Sequence, residues 1–244
     1  MEKERVGLIF TDYEGRDYEK FWRGPAKEYL DKLERAIVTH ALEGGDSIVE
    51  VGAGFGRLGG CYLAKYRSVS MVEPASNLRT ACAKAYGNSV VCYDASVYDL
   101  PFSDQSFNAV LMVRVLHHLG SPERALAELN RILKPGGQMI FSYSNKRNLK
   151  RVLLFLAGRA KSPFSLDAEP YHRTFFGHHP RYITALLTRA GFRIEEQYGV
   201  GVVDKVVGSL PFLLKVMNPS LLLARVLGGL RIAPYQFVVA VKTR

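Results

Sequence analysis

Of the 244 residues only three are cysteine, Cys61, Cys82 and Cys92, and no two of them stand in a C-x-x-C pair. An odd, unpaired set excludes a disulfide framework and offers no structural zinc spacing, so no metal is expected. Long apolar runs are missing too: nowhere do the roughly 18 uncharged apolar residues of a transmembrane helix stand together. The opening residues, Met1-Glu-Lys-Glu-Arg5, carry charges of both signs and lead into no apolar stretch of signal-sequence length. That predicts no secretory signal and a cytoplasmic protein. Internal repeats and low-complexity linkers are also absent.

What is present is ordinary globular composition, 48% hydrophobic and 23% charged, in a chain long enough for one sizeable α/β domain. The one unusual number is a net charge of +10, from 33 Lys+Arg against 23 Asp+Glu. It points either to a polyanionic partner, an anionic membrane surface or acidic substrates, or to a merely basic surface, since the cations are scattered.

Residues 18–42 read as helical, with Leu30, Leu33, Ile37, Val38 and Leu42 near helical spacing, and Gly44-Gly45 as the stop. Residues 47–51 form a short apolar run of the buried parallel-strand type. A glycine-rich loop follows, then a predicted helix to about Lys65. Strands are predicted at 69–72, 89–93, 109–113 and 138–142, with helices at 77–86 and 121–133 between them. Ser121 and Pro122 stand as N-cap and first helical residue. This alternation implies a parallel sheet covered on both faces by right-handed crossovers. Further on, residues 151–158 and 180–190 read as helices, 162–179 as a loop, and 192–195 and 236–241 as strands.

The strongest local signal is Glu50-Val-Gly-Ala-Gly-Phe-Gly56, between a buried strand and the segment after it. Glycines allow a sharp turn and a close backbone approach to a ligand. Glu73 ends the next strand, where a carboxylate can accept both hydroxyls of a ribose. A nucleoside-containing cofactor is therefore expected at the carboxyl ends of the strands. A dinucleotide fingerprint needs glycine at position 57, which is Arg57 here, and no P-loop lysine lies nearby.

With these residues the sequence resembles the class I S-adenosylmethionine-dependent methyltransferases, in the small-molecule branch that includes ubiquinone and menaquinone biosynthesis enzymes. The resemblance runs over residues 47–145. It rests on Val49-Glu-Val-Gly-Ala-Gly-Phe-Gly56, Val72-Glu-Pro74, Asp99-Leu-Pro-Phe-Ser-Asp-Gln-Ser-Phe107, Val115-Leu-His-His-Leu119 and Leu129-Asn-Arg-Ile-Leu-Lys-Pro-Gly-Gly137. It implies a Rossmann-like, doubly wound sheet of about seven strands, mostly parallel with an antiparallel last strand. It also implies a helical extension or lid at 1–45 and a single domain at 46–244, with an apolar insertion at about 200–232.

The resemblance further implies that Glu50 contacts the methionine ammonium or orders the loop beneath it. Gly52, Ala53, Gly54 and Gly56 would wrap the methionine and ribose, with Glu73 on the ribose hydroxyls, Pro74 beside it and Leu78 against the adenine. Ser96 and Val97 stand where the family meets the adenine edge, and Asp94 lies two residues early. The ligand would be S-adenosylmethionine, with S-adenosylhomocysteine as product.

In-line methyl displacement asks the protein to align a nucleophile and exclude water, and needs a base only when the acceptor must lose a proton. His117 and His118 are the candidate catalytic residues, or else they cap and pack the next helix. Arg114, at the end of the fourth strand, is expected beside the sulfonium among the cofactor-binding residues. There it would bind a substrate anion, pair with Glu50, or be a solvated strand end. Tyr143, Asn145, His172, His178 and His179 fall where the family builds its substrate roof, although His178-His-Pro-Arg181 also reads as a helix start. Tyr13, Tyr18, Phe21 and Trp22 would close over the cofactor or pack on the sheet edge.

The expected activity is methyl transfer to oxygen, carbon or nitrogen of a small organic acceptor, apolar or lipid- or quinone-like, by a monomer or homodimer. Peripheral membrane contact is an open expectation, from residues 202–230 with Lys215, Arg225 and Arg231 interleaved. The alternatives are an RNA or DNA methyltransferase and a non-catalytic binding protein on the cofactor fold. No specific nucleic-acid partner is expected, because the fourth strand lacks an Asn/Asp-Pro-Pro-Tyr/Phe segment and no Pro-Cys nucleophile occurs. A nicotinamide dehydrogenase is disfavoured by Arg57 and by the lack of a Tyr-x-x-x-Lys pair near a suitable strand.

Overall fold

In the computed structural model the described residues are 13–15, 17–172, 175–202 and 219–243. Five strands run parallel in one sheet: β1 (Gly45–Val51), β2 (Tyr66–Val72), β3 (Val91–Tyr93), β4 (Phe107–Met112) and β5 (Leu133–Ser144). A two-stranded hairpin, β6 (Glu169–His172) with β7 (Phe175–Gly177), stands apart. The main sheet is completed by β8 (Phe192–Val200) and by β9 (Tyr235–Lys242), which is antiparallel to both of its neighbours. The spatial order is β3-β2-β1-β4-β5-β9-β8. The expected seven strands with one reversed strand are what the fold contains.

The helices are α1 (Pro25–Ala41), α2 (Ser76–Tyr86), α3 (Pro122–Ile132), α4 (Leu149–Leu156), α5 (Pro180–Arg189) and α6 (Leu221–Leu230). Strand residues alternate between two cores. Ile48, Leu111, Ile140 and Val239 face a core with α1, Cys82 of α2 and Ala224 of α6. Val49, Val110, Phe141 and Ala240 face a second core with α3 and α5. The period-2 geometry of a strand, buried on both sides, thus demands the near-continuous apolar runs seen in the sequence.

Four local expectations are corrected. The helix expected over 18–42 is broken: a 3₁₀ turn at Glu19–Trp22 ends in extended Arg23, Gly24 turns at φ +99°, and Pro25 opens α1. A residue before proline is pushed out of the α region, while proline at the first helical position is favoured. After the glycine loop only a 3₁₀ turn forms, Gly59–Cys61, in place of a helix to Lys65. Gly56 sits at φ +82° and Gly59-Gly60 follow it, and glycine costs about 1 kcal/mol per helical position. The 162–179 segment contains the β6–β7 hairpin, pinned by stacked Tyr171 and Phe175 rings 5.9 Å apart. Strand β8 runs to Val200, past the expected Glu195, because β9 pairs with it along its length. About half of the 200–232 insertion, residues 203–218, lies outside the described residues, as does Lys215.

Candidate cofactor and active site

Strand order reverses between β1 and β4: β2 and β3 lie to one side of β1, and β4 and β5 to the other. Such a switch point leaves a crevice at the strands' carboxyl ends. A cavity of about 960 Å³, counting its open mouth, occupies that place. Its floor is the glycine loop. Gly52 and Ala53 donate their N–H groups to the Val72 carbonyl at 2.8 and 3.1 Å, which folds the loop back over β2. Gly52 holds φ +74°, and a Cβ there would lie 2.2 Å from Val115 Cγ2.

Two buried carboxylates flank this loop. Glu50 accepts the Tyr62 hydroxyl, and burial, outweighing that bond, pushes its carboxyl up to about 7. Glu73 accepts the Gly54 N–H at 2.8 Å and the Ala75 N–H at 3.0 Å, one on each oxygen, and burial raises it too. Each Glu73 oxygen keeps acceptor capacity beyond its one backbone bond. Next to Glu73 the wall is made by Pro74, Leu78, Ala95, Ser96 and Val97. Ser96 Oγ accepts the Tyr98 N–H at 3.3 Å, while Asp94 sits outside the cavity and pairs with Arg79 at 3.0 Å.

The mouth is aromatic. Tyr13, Tyr18, Trp22 and Phe55 line it, whereas Phe21 stays exposed under a cation–π contact with Lys27. His118 also lines the cavity, its Nε2 3.2 Å from the Tyr13 hydroxyl.

Of the residues named from sequence, Glu50, Gly52, Ala53, Gly54, Glu73, Pro74, Leu78, Ser96, Val97, Arg114 and His118 line this one cavity. Two do not. Gly56 turns away from it and packs on α2, where its carbonyl accepts the Tyr86 hydroxyl at 2.6 Å. His117 is buried behind the wall, ring to ring with Phe175 at 4.3 Å; burial, with the charges of His118 and Arg114, holds it well below the usual imidazole range.

Arg114 is corrected as well: it is neither solvated nor paired with Glu50. Its Nε and Nη2 donate to Glu34 Oε1 at 2.9 and 2.5 Å, and its backbone stands at φ +62°. Arg57, also in the wall, donates to the other Glu34 oxygen at 2.6 Å and to Asp31. Sequence reading missed Glu34. The available signal was an acid on the apolar stripe Leu30, Ile37, Ala41 of α1, one helical turn after Leu30.

The roof candidates whose side chains are described do not line the cavity. Tyr143 is buried in the second core, and the Asn145 amide donates to the Arg231 and Ala233 carbonyls, each at 2.9 Å. His178 is buried outside the cavity, and His179 Nδ1 accepts the Arg181 N–H at 3.1 Å, capping α5 as its position suggested. The His172 side chain lies outside the described residues. Among the described residues no group of three His, Cys, Asp or Glu could hold a metal ion.

Strand order, reversed β9, glycine loop and a carboxylate at the end of β2 together define the Rossmann-like class I fold of S-adenosylmethionine-dependent methyltransferases. Residues 49–141 match the family described as "Methyltransferase domain". An uncharacterized methyltransferase of Geobacillus kaustophilus is 26% identical over 130 residues, 51% of this chain and 60% of that protein. Demethylmenaquinone methyltransferase of Thermobifida fusca is 31% identical over 138 residues, 55% of this chain and 56% of its own length. The chain thus spans some three fifths of the curated relatives it matches. Among solved structures, a SAM-dependent methyltransferase of Thermotoga maritima superposes with TM-score 0.64 at 22% identity, over 93% of this chain and 95% of that one. The 1,6-didemethyltoxoflavin-N1-methyltransferase of Burkholderia thailandensis, solved with bound S-adenosylhomocysteine, gives 0.63 at 18% over 93% and 84%.

Proposed function

We propose that this protein transfers a methyl group from S-adenosylmethionine to a small organic acceptor of apolar character. One observation carries the reading: two buried carboxylates, Glu50 and Glu73, stand at a cavity floored by a loop in which no side chain fits at Gly52. Glu50 has a phenol but no ion pair, so a ligand ammonium completes it. Glu73 has acceptor capacity for two vicinal hydroxyls. Pro74, Leu78, Ala95 and Val97 give a flat base an apolar slot, with Ser96 at its edge.

When bound, the cofactor supplies a methyl carbon on a positively charged sulfur, and leaves as S-adenosylhomocysteine. The chain's part is to orient the acceptor and keep water out, with Tyr13, Tyr18, Trp22 and Phe55 closing the mouth. His118, facing the Tyr13 hydroxyl, is the residue in reach to take a proton from an acceptor hydroxyl or acidic carbon. The quinone-related relative and the aromatic mouth both favour an apolar, ring-bearing acceptor.

An anionic membrane is the partner we propose for delivering it. On α4, Leu149, Leu153 and Leu156 are exposed on successive turns, with Lys150, Arg159 and Lys161 around them. No Asp or Glu occurs from 129 to 166. The Leu149 N–H donates to the Ile232 carbonyl, so α4 begins where α6, with exposed Leu222, Val226 and Leu230, ends. An apolar stripe bordered by cations fits an anionic lipid surface.

Incubation with methyl-labelled S-adenosylmethionine and a cell extract tests the reading. Label in the organic-solvent phase is expected. Label retained on nucleic acid would replace this reading with the RNA or DNA alternative, and no transfer at all would favour a non-catalytic binder.

A further inference from the structure

Arg57 and Arg114 both stand in the cavity wall, with side chains only 10% and 8% exposed. Solvent screens such buried charges poorly, so two guanidinium groups would repel any cation in the cavity. A single acid opposes both. Glu34, whose side chain is 0% exposed, gives one oxygen to Arg114 Nε and Nη2 and the other to Arg57 Nη2. Asp31 takes Arg57 Nη1 and is shared with Arg35 at 2.7 Å. Trp22 covers the Arg57 guanidinium at 3.8 Å and lies 5.0 Å from that of Arg114, which also meets the Tyr235 ring at 4.5 Å. Glu34 comes from α1, outside residues 49–141 that carry the domain match.

We infer that Glu34 is a specificity-determining residue: by neutralising Arg57 and Arg114 it lets the cavity accept a sulfonium ligand over the neutral thioether. The inference rests on the cofactor reading above. Glu34 acts through the arginines and touches no reacting atom, so it is a positioning residue and not a catalytic one. The two ligands suit the question because they share every group except the methylated, charged sulfur. A loss of packing weakens both alike, whereas a change of wall charge moves only their ratio.

The experiment is calorimetric titration of the full chain with S-adenosylmethionine and with S-adenosylhomocysteine. In Glu34→Gln the ratio of the two affinities shifts against S-adenosylmethionine by about tenfold or more, as an uncompensated cation in a poorly screened site requires. Arg114→Gln leaves one buried guanidinium, that of Arg57, against Glu34 instead of two, and shifts the ratio the other way. That variant carries the test should Glu34→Gln fail to fold, since losing Glu34 strands two buried cations whereas losing Arg114 leaves Glu34 paired with Arg57. The double variant removes the pair together and returns the ratio to the wild-type value. Equal weakening of both ligands in the single variants overturns the inference while leaving the cofactor reading intact. A wild-type protein that binds neither ligand overturns the cofactor reading, and this inference with it.

Discussion

Glu50 is a carboxylate kept from water with a phenol as its partner, and burial brings its carboxyl to about 7. The folded protein therefore holds a proton that the unfolded chain releases in the ordinary carboxyl range. By linkage, this group's contribution to stability falls as pH rises from that range through about 7. His178 has the opposite slope: burial lowers it to about 4, so stability is lost as pH drops from the usual imidazole range toward that value. Glu50→Gln isolates the first effect. Melting temperatures of variant and wild type, scanned between about pH 5 and 8, should diverge in favour of the variant as pH rises. A difference that does not change with pH would contradict the buried, protonated Glu50. The same proton opposes binding of an ammonium. Wild-type affinity for S-adenosylmethionine should rise with pH, by at most about tenfold per unit below neutrality, and the profile should flatten in Glu50→Gln.

At the scale of the element, the loop after β1 matters through its backbone. In Gly52→Ala a Cβ meets Val115 Cγ2 at a φ of +74°, so we expect a loss of about 1–3 kcal/mol in stability together with cofactor binding. Gly158 shares the left-handed backbone, φ +68°, with nothing near its missing Cβ. Gly158→Ala should therefore cost about 1 kcal/mol and leave binding untouched. Equal binding loss in both variants, in a paired denaturation and titration, would mean strain alone is being measured. Elements of this kind were legible in the sequence for a physical reason. Strands buried on both faces need unbroken apolar runs, so β1, β2, β4, β5 and β9 announce themselves, and Glu73 follows from where β2 ends. Tertiary pairings were not legible. Whether a bulge brings Asp94 to the cavity in place of Ser96 is decided only by tertiary contacts: Asp94 pairs with Arg79 outside it, and Ser96 lines it. Glu34 reads as one more helix acid until Arg57 and Arg114, 23 and 80 residues away, converge on it. His117 and His118 are indistinguishable neighbours in the sequence, and only tertiary packing separates them, His117 lying against Phe175 behind the wall and His118 in the cavity beside Tyr13.

For the whole molecule, the +10 charge acquires a direction from where acids are missing. The 129–166 stretch has none, and it carries the exposed leucines of α4. No helix among the described residues is long and apolar enough to cross a membrane, so contact would be made by surface faces. Sedimentation with phosphatidylcholine vesicles containing phosphatidylglycerol should carry the protein down at low salt, and release it at high salt. The double substitution Leu153→Glu with Leu156→Glu, at exposed sites, should abolish this without unfolding the chain. Self-association through α4 in place of vesicle binding would assign the face to a second copy. The claim on which all of this depends is that the cavity at the β1–β4 switch point holds S-adenosylmethionine. Calorimetric titration of the purified chain, beside a folded Glu73→Ala variant, tests it most directly. Micromolar binding of S-adenosylmethionine and S-adenosylhomocysteine that disappears in the variant is the predicted result; no heat from either ligand in a folded wild-type protein would contradict it.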